Sequence, residues 1–287
     1  MRRGLALGTV LLALALVCAA QVSTMFHVSI VAPTGAQGVL DWTQGWITAK
    51  GYGSAPENVS NETQGRLLAR RGAYVDAQRS ILELLEGVEL KSETTFLNYA
   101  ANDVVRTKLE ETLPAFVQVV EGSEQWTEND PLCPDGCYTV TMQYNLAGLV
   151  LTTLPYIVES TSTGTLPYSS APAPDYTGVV IDARGLDITP STYMDVHGMG
   201  GSIYAETVAA LYVPSVSYEL AGTSESVEFA ENDPRVGDKP LVVRALGKNE
   251  QGTGVVVAHE DGRIIEAMAA TTDILISGGG SVLVVAD

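Results

Sequence analysis

WTQGWITAKGYG (42–53), RLLARRGAYVDAQRSILELLEGVEL (66–90) and CYTVTMQYNL (137–146) form the framework whose reading decides the fold. A strand near Gly45–Ala49 runs into the punctuating Gly51-Tyr52-Gly53. A long helix follows, for which Ser60 or Asn61 offers an N-cap and Glu62 an acidic first turn. Leu68, Ala73, Ala77, Ile81, Leu84 and Leu85 recur at three-to-four spacing and predict one apolar face, with Gly87 as a left-handed C-terminal cap. Alternation from Val88 to Phe96 reads as a strand, and Asn102 or Asp103 opens a second helix that Pro114 stops. Phe116–Val120 and Tyr138–Leu146 complete a sheet as a hairpin. The expectation is an α+β fold: an N-terminal β-α-β-α-β-β module with helices packed on a small sheet.

Working outward, residues 1–20 carry Arg2 and Arg3, an apolar run from Leu5 to Val17, then Ala19 and Ala20. That is the pattern of a secretory signal peptide, and the run falls short of the ~20 residues a spanning helix needs. Val17 stands before Cys18 where lipoprotein processing wants a small residue. Cleavage near Ala20 without lipid is therefore the expectation. Residues 21–39 read as a flexible leader and 40–150 as the first domain. LTTLPYIVESTSTGTLPYSSAPAPD (151–175) has the Ser/Thr/Pro composition of an extended linker.

Residues 176–287 read as a mixed α/β domain. Its strands are expected at TGVVID (177–182), Ser215–Glu219, Leu241–Ala245, Gly254–Ala258 and Ser281–Val285, with a helix over Asp261–Ala270. A chain of 287 residues with 46% hydrophobic content can bury such a core. Its formal charge of −18 argues against direct binding to nucleic acid or to anionic lipid. Beyond residue 20 no stretch is long and apolar enough to span a membrane, which leaves peripheral association open.

Several of these segments have a familiar cast. WTQGWITAKGYG, ARRGAYVDAQRSILELLEGVEL (69–90) and SETTFLNYAANDVVRTKLEETL (92–113) resemble the N-terminal module of a bacterial envelope family. That family includes small outer-membrane lipoproteins and the flagellar outer-ring assembly protein T. YTGVVIDARGL (176–186) and DPRVGDKPLVVRALG (233–247) resemble the C-terminal part of secreted relatives with the same two-block layout. The resemblance implies a non-enzymatic periplasmic or outer-membrane-associated protein that assembles with other envelope proteins or with itself. It supplies no catalytic residues.

The chemistry-bearing residues agree with that modest expectation. His27, His197 and His259 are far apart and do not sit at metal-ligand spacing, so no metal or cofactor is expected. No nucleophile elbow is present, and Gly278-Gly279-Gly280 precedes a strand rather than a helix. Asp182 follows an apolar strand, where pairing with Arg184 is a better reading than catalysis. The acidic runs Glu124–Asp135 and Glu225–Asp238 lack EF-hand spacing. Cys133 and Cys137 flank a Pro-Asp-Gly turn and are expected to form a stapling disulfide, worth about 2 kcal/mol for so short a loop. Arg66, Arg70 and Arg71 concentrate positive charge and are the candidate docking face for an acidic neighbour. The rival reading is a glycan- or peptide-binding protein with an interdomain cleft lined by Trp42, Trp46, Tyr168 and Tyr193, and a hydrolase comes third.

Overall fold

A computed structural model describes residues 26–56, 59, 61–91, 94–95, 103–128, 133, 136–161, 175–215, 225–271 and 281–287. The architecture is mixed α/β. In the first half β1 (His27–Val31), β2 (Gln37–Asp41) and β3 (Trp46–Ser54) lead into helix α1 (Glu62–Leu85). The short β4 (Glu89–Lys91) and β5 (Thr94–Thr95), then α2 (Asp103–Phe116), β6 (Val117–Val119), β7 (Gln125–Thr127), β8 (Cys137–Asn145) and α3 (Leu146–Thr161) follow. One antiparallel sheet runs β1-β2-β3-β8-β6, with β7 also paired to β8.

Glycine and alanine set how closely α1 lies on this sheet. The buried stripe is Gly65, Ala69, Ala73, Ala77, Ile81, Leu84 and Leu85, with Asn61 capping the start through the Gln64 amide at 2.9 Å. A Cβ added at Gly51 would lie 2.1 Å from the Ala73 carbonyl oxygen, and one at Gly53 2.0 Å from that of Ala69. Backbone therefore rests on backbone, and Gly51-Tyr52-Gly53 belongs to β3 instead of following it. The face is rotated slightly from the expected one: Ala69 is buried, whereas Leu68 is 37% exposed. Gly87 does not adopt a left-handed conformation, since the helix closes on Glu86 in the right-handed region.

Two expected boundaries need correction. Residues 27–31 and 37–39, expected in a flexible leader over 21–39, belong to the hairpin of β1 (27–31) with β2 (37–41). Buried Phe26 and Leu40 anchor it, and Asp41 accepts the Thr43 and Gln44 amides at 2.9 Å each to turn the chain into β3. Residues 151–161, expected as linker, continue α3 across the supposed 150/151 boundary. The threonines that made this stretch look extended donate back into the helix, Thr152 to the Gly148 carbonyl at 2.7 Å and Thr153 to that of Leu149 at 2.8 Å. A back-bonded hydroxyl has its partner and can be buried, at a slight cost to the helix ladder. The rest of the linker, 162–174, lies outside the described residues.

The second half contains β9 (Gly178–Asp182), β10 (Tyr193–Gly198), β11 (Ile203–Ala209), β12 (Leu211–Pro214) and α4 (Glu225–Glu231). It continues with β13 (Pro240–Arg244), β14 (Gly247–Lys248), β15 (Val255–Val257), α5 (His259–Thr271) and β16 (Val282–Ala286). Strands β12-β16-β9-β13 form a wholly parallel sheet, and β11-β10-β15-β14 a mixed one. Every residue of β9 and β16 is buried, the continuous apolar signature of parallel strands covered on both faces. Strand β12 was not expected, and of the strand expected at 215–219 residues 216–219 fall outside the described residues.

One core joins the halves. Leu40, Ile47, Ile81 and Leu149 share a buried cluster with Val179, Tyr193, Tyr212 and Val284. The Tyr193 hydroxyl donates to the Val150 carbonyl at 3.0 Å and lies 3.0 Å from the Thr153 hydroxyl. Tyr212 packs edge-on against Trp42 and stacks with Phe26, while Arg235 donates to the Thr43 carbonyl at 2.6 Å.

Candidate functional site

The interdomain cleft of the ligand-binding expectation is filled. Trp42 and Tyr193 are core residues, and the space beside Trp42 between the halves amounts to a cavity of about 10 Å³. Trp46 lies instead on the outer face of the first sheet, half-buried, and Tyr168 lies outside the described residues. That outer face carries two shallow grooves of about 350 and 340 Å³ that share Val39 and Thr48. Trp46, Gln44, Gln143 and His27 line the first, and Ser29, Val31, Lys50 and Thr141 the second.

Two of the three arginines of the expected docking face are engaged within the chain. Arg66 pairs with Glu62 at 2.5 Å and Glu128 at 3.4 Å, its guanidinium 5.1 Å from the centre of the Trp126 ring. Arg70 donates to Glu124 at 2.8 Å, and the same carboxylate oxygen accepts the Tyr74 and Tyr138 hydroxyls, each at 2.8 Å. Hydrogen bonds from Arg70 first, then Tyr74 and Tyr138, bring the Glu124 carboxyl down to about 2 against a little burial. Arg71 alone of the three is exposed with no ion pair among the described residues, beside exposed Leu67 and Val75. The geometry makes Arg66 and Arg70 fasteners between α1 and the β7–β8 region.

Cys133 and Cys137 are joined as expected, their Cα atoms 5.2 Å apart across the turn at the end of β8. The link closes at the end of the strand that the Glu124 cluster also clasps. Cys137 faces Ser54 across the sheet, so the staple steadies the far end of the β3–β8 ladder.

The second half contains two copies of one local device, of which sequence reading named only the Asp182–Arg184 pair. In Asp182-Ala183-Arg184 and Asp233-Pro234-Arg235 the arginine grips the aspartate two residues before it with both arms of its fork. Asp182 also meets Arg244 at 2.6 Å, and Arg244 donates to the Arg184 carbonyl at 3.0 Å. Burial pushes Asp182 up, but Arg184 and Arg244 together hold it at about 2. The shared D-x-R spacing was the available signal. A carboxylate so fully claimed by two guanidiniums is held as an anion and is a poor proton acceptor.

The histidines stay apart. His27 Nδ1 lies 3.2 Å from Asp41, His259 Nδ1 lies 2.6 Å from the Tyr204 hydroxyl, and His197 belongs to β10. Among the described residues no group of three His, Cys, Asp or Glu side chains could hold a metal ion. Within the same residues no helix is long and apolar enough to cross a membrane.

What the first sheet leaves open is an edge. Among the described residues β1 pairs only with β2, and it is exposed along nearly its whole length. The Trp42 amide donates to the Phe26 carbonyl at 2.8 Å and the Ala32 amide to that of Ala36 at 2.8 Å. Alternation along an antiparallel ladder then turns the amides and carbonyls of His27, Ser29 and Val31 away from β2. The strand contains no proline, lysine or bulge, the usual devices that blunt an edge.

Residues 178–287 match a family model described as the second domain of Treponema pallidum Tp0624. The match begins at the first residue of β9 and takes in both sheets of the second half. No curated protein matches the chain.

Proposed function

We propose that this chain is an exported cell-envelope protein acting as a non-enzymatic structural or assembly module, associated with the periplasmic side or the outer membrane. The observation that carries the reading is the β1 edge, which among the described residues pairs only with β2. Assembly by strand addition needs a row of unpaired amides and carbonyls, and β1 offers them at His27, Ser29 and Val31. The signal-like residues 1–20, the Cys133–Cys137 link and the resemblance of the first half to envelope assembly modules point to the same compartment. Partners would be other envelope proteins or further copies of the chain.

A second reading is favoured by the grooves on the outer sheet face. Trp46 flanked by Gln44, Thr48 and Gln143 gives an aromatic platform with amide and hydroxyl groups, the chemistry of a glycan or peptide site. A hydrolase stands third. Crosslinking in intact cells, with identification of joined chains and intact-mass analysis of the exported protein, tests the leading reading. Protein crosslinks through residues 27–41 and a mass matching cleavage near Ala20 are expected. A monomer free of crosslinks that binds glycan through Trp46 would replace that reading with the second one.

A further inference from the structure

We propose that two copies of this chain join edge to edge through β1, antiparallel about a two-fold axis at Ser29. This rests on the assembly reading and names the partner as a second copy. In that arrangement the outward amide and carbonyl of Ser29 meet those of Ser29 in the other copy, and His27 faces Val31. A two-fold contact is self-complementary by construction, so one five-residue strand supplies both sides. The first sheets of the two copies become one continuous sheet.

Low local charge lets a second copy meet this edge. The chain carries −18 overall, so two copies repel unless they meet where local charge is low. From Val28 to Leu40 the sequence contains no Asp, Glu, Lys or Arg. At the end of this stretch Asp41 is matched by His27 at 3.2 Å. The opposite edge of the sheet is unsuited to the same use. It is broken into β6 and β7, three residues each, and carries Glu124 and Glu128 beside β7.

Side chains support the same register. Val31 is 66% exposed and Val28 40%, both large apolar groups on a strand that faces water. Pairing about Ser29 places Val28 opposite Ile30 of the other copy on the helix side, where Ile30 already packs against the core. On the outer side Val31 comes against His27. Both exposed valines thereby lose water, which is the gain that offsets the ordering of the strand.

Sedimentation equilibrium of the full chain, wild type against three variants, tests the proposal. Ser29→Pro removes an amide that points outward and leaves the β1–β2 ladder intact, since proline is tolerated on that side of an edge strand. Val31→Lys places a charge on the axis-flanking position. Both variants are expected to keep the wild-type circular dichroism and melting temperature while weakening dimerisation at least about tenfold. Ser29→Cys should link two copies under oxidation, because facing residues of such a pair lie at about 5.5 Å, within disulfide reach. A wild-type chain that stays monomeric at high micromolar concentration, or a dimer that survives Ser29→Pro, overturns self-pairing. If Ser29→Pro instead abolishes crosslinks to other envelope proteins while the wild type is monomeric, self-pairing fails and the assembly reading stands. If the substitution changes neither, both fail.

Discussion

Gly53 lies so close beneath Ala69 that a methyl group on its Cα would sit 2.0 Å from the Ala69 carbonyl oxygen. Strand β3 and helix α1 therefore touch backbone to backbone, and their positions fix the frame on which the β1–β2 edge is carried. Gly53→Ala is expected to destabilise the protein by at least about 2–3 kcal/mol, because helix backbone cannot yield as a side chain can. Gly72 faces the same strand but would place its Cβ an ordinary 3.6 Å from the Gly53 Cα. Gly72→Ala should be neutral or stabilising by up to about 1 kcal/mol through helix propensity. Urea titration of both variants checks the contrast, and equal losses would show that the close approach is not what holds the helix.

Tyr193 ties the two halves together. Its hydroxyl is buried between the Val150 carbonyl and the Thr153 hydroxyl, and Arg235 reaches the Thr43 carbonyl on another side of the interface. Hydrogen exchange under mild urea should release the β3 and β9 amides together, in a single cooperative opening. Tyr193→Phe should lower stability by about 1–2 kcal/mol through loss of the hydroxyl's contacts with the Val150 carbonyl and Thr153. Separate release of β9 well before β3 would show two units.

Local signals with short reach were legible in the sequence, and those that depend on what lies opposite were not. Asn61 capping α1, the apolar β9, and Cys133 paired with Cys137 all follow from neighbours in the chain. Leu68 was misplaced because residue spacing alone does not say that Gly51 and Gly53 draw the stripe onto Ala69. Thr152 and Thr153 suggested a linker because their hydroxyls look solvent-seeking until the helix carbonyls that satisfy them are seen. The engagement of Arg70 was hidden for the same reason, since Glu124 is 54 positions away. The open edge was invisible in the sequence, because β1 was read as part of a leader and only its pairing with β2 shows which of its amides face outward.

Acid should weaken the fold through two carboxylates. Glu124 is lowered from 4.5 to about 2, by Arg70 first, and Asp182 from 3.8 to about 2 by Arg184 and Arg244 despite its burial. A carboxyl with a depressed folded-state pKa contributes stability that is fully present above its unfolded value and lost as pH falls toward the folded one. The contribution of these two groups should be constant above about pH 5 and decline between about pH 4.5 and 2. Glu124→Gln and Asp182→Asn should each flatten that decline while lowering stability at neutral pH. Melting temperature followed against pH, with carboxyl titration by NMR, measures both. A decline unchanged in the double variant would place the acid sensitivity elsewhere.

The three helix arginines should separate cleanly by role. Arg70 is held by Glu124 and Tyr74, and Arg66 by Glu62, Glu128 and the Trp126 ring, so charge reversal at either sets like charges against the clasp on β7. Arg70→Glu and Arg66→Glu should therefore lower the melting temperature, modestly because both pairs remain partly solvated. Arg71 is exposed and unpaired among the described residues, so Arg71→Glu should leave the melting temperature within error. If α1 meets an acidic neighbour, Arg71→Glu should weaken that association, and more so at low salt, where screening is least. Association unchanged by Arg71→Glu, together with loss of stability in the other two variants, would confine this arginine cluster to holding the fold and leave β1 as the surface through which the protein assembles.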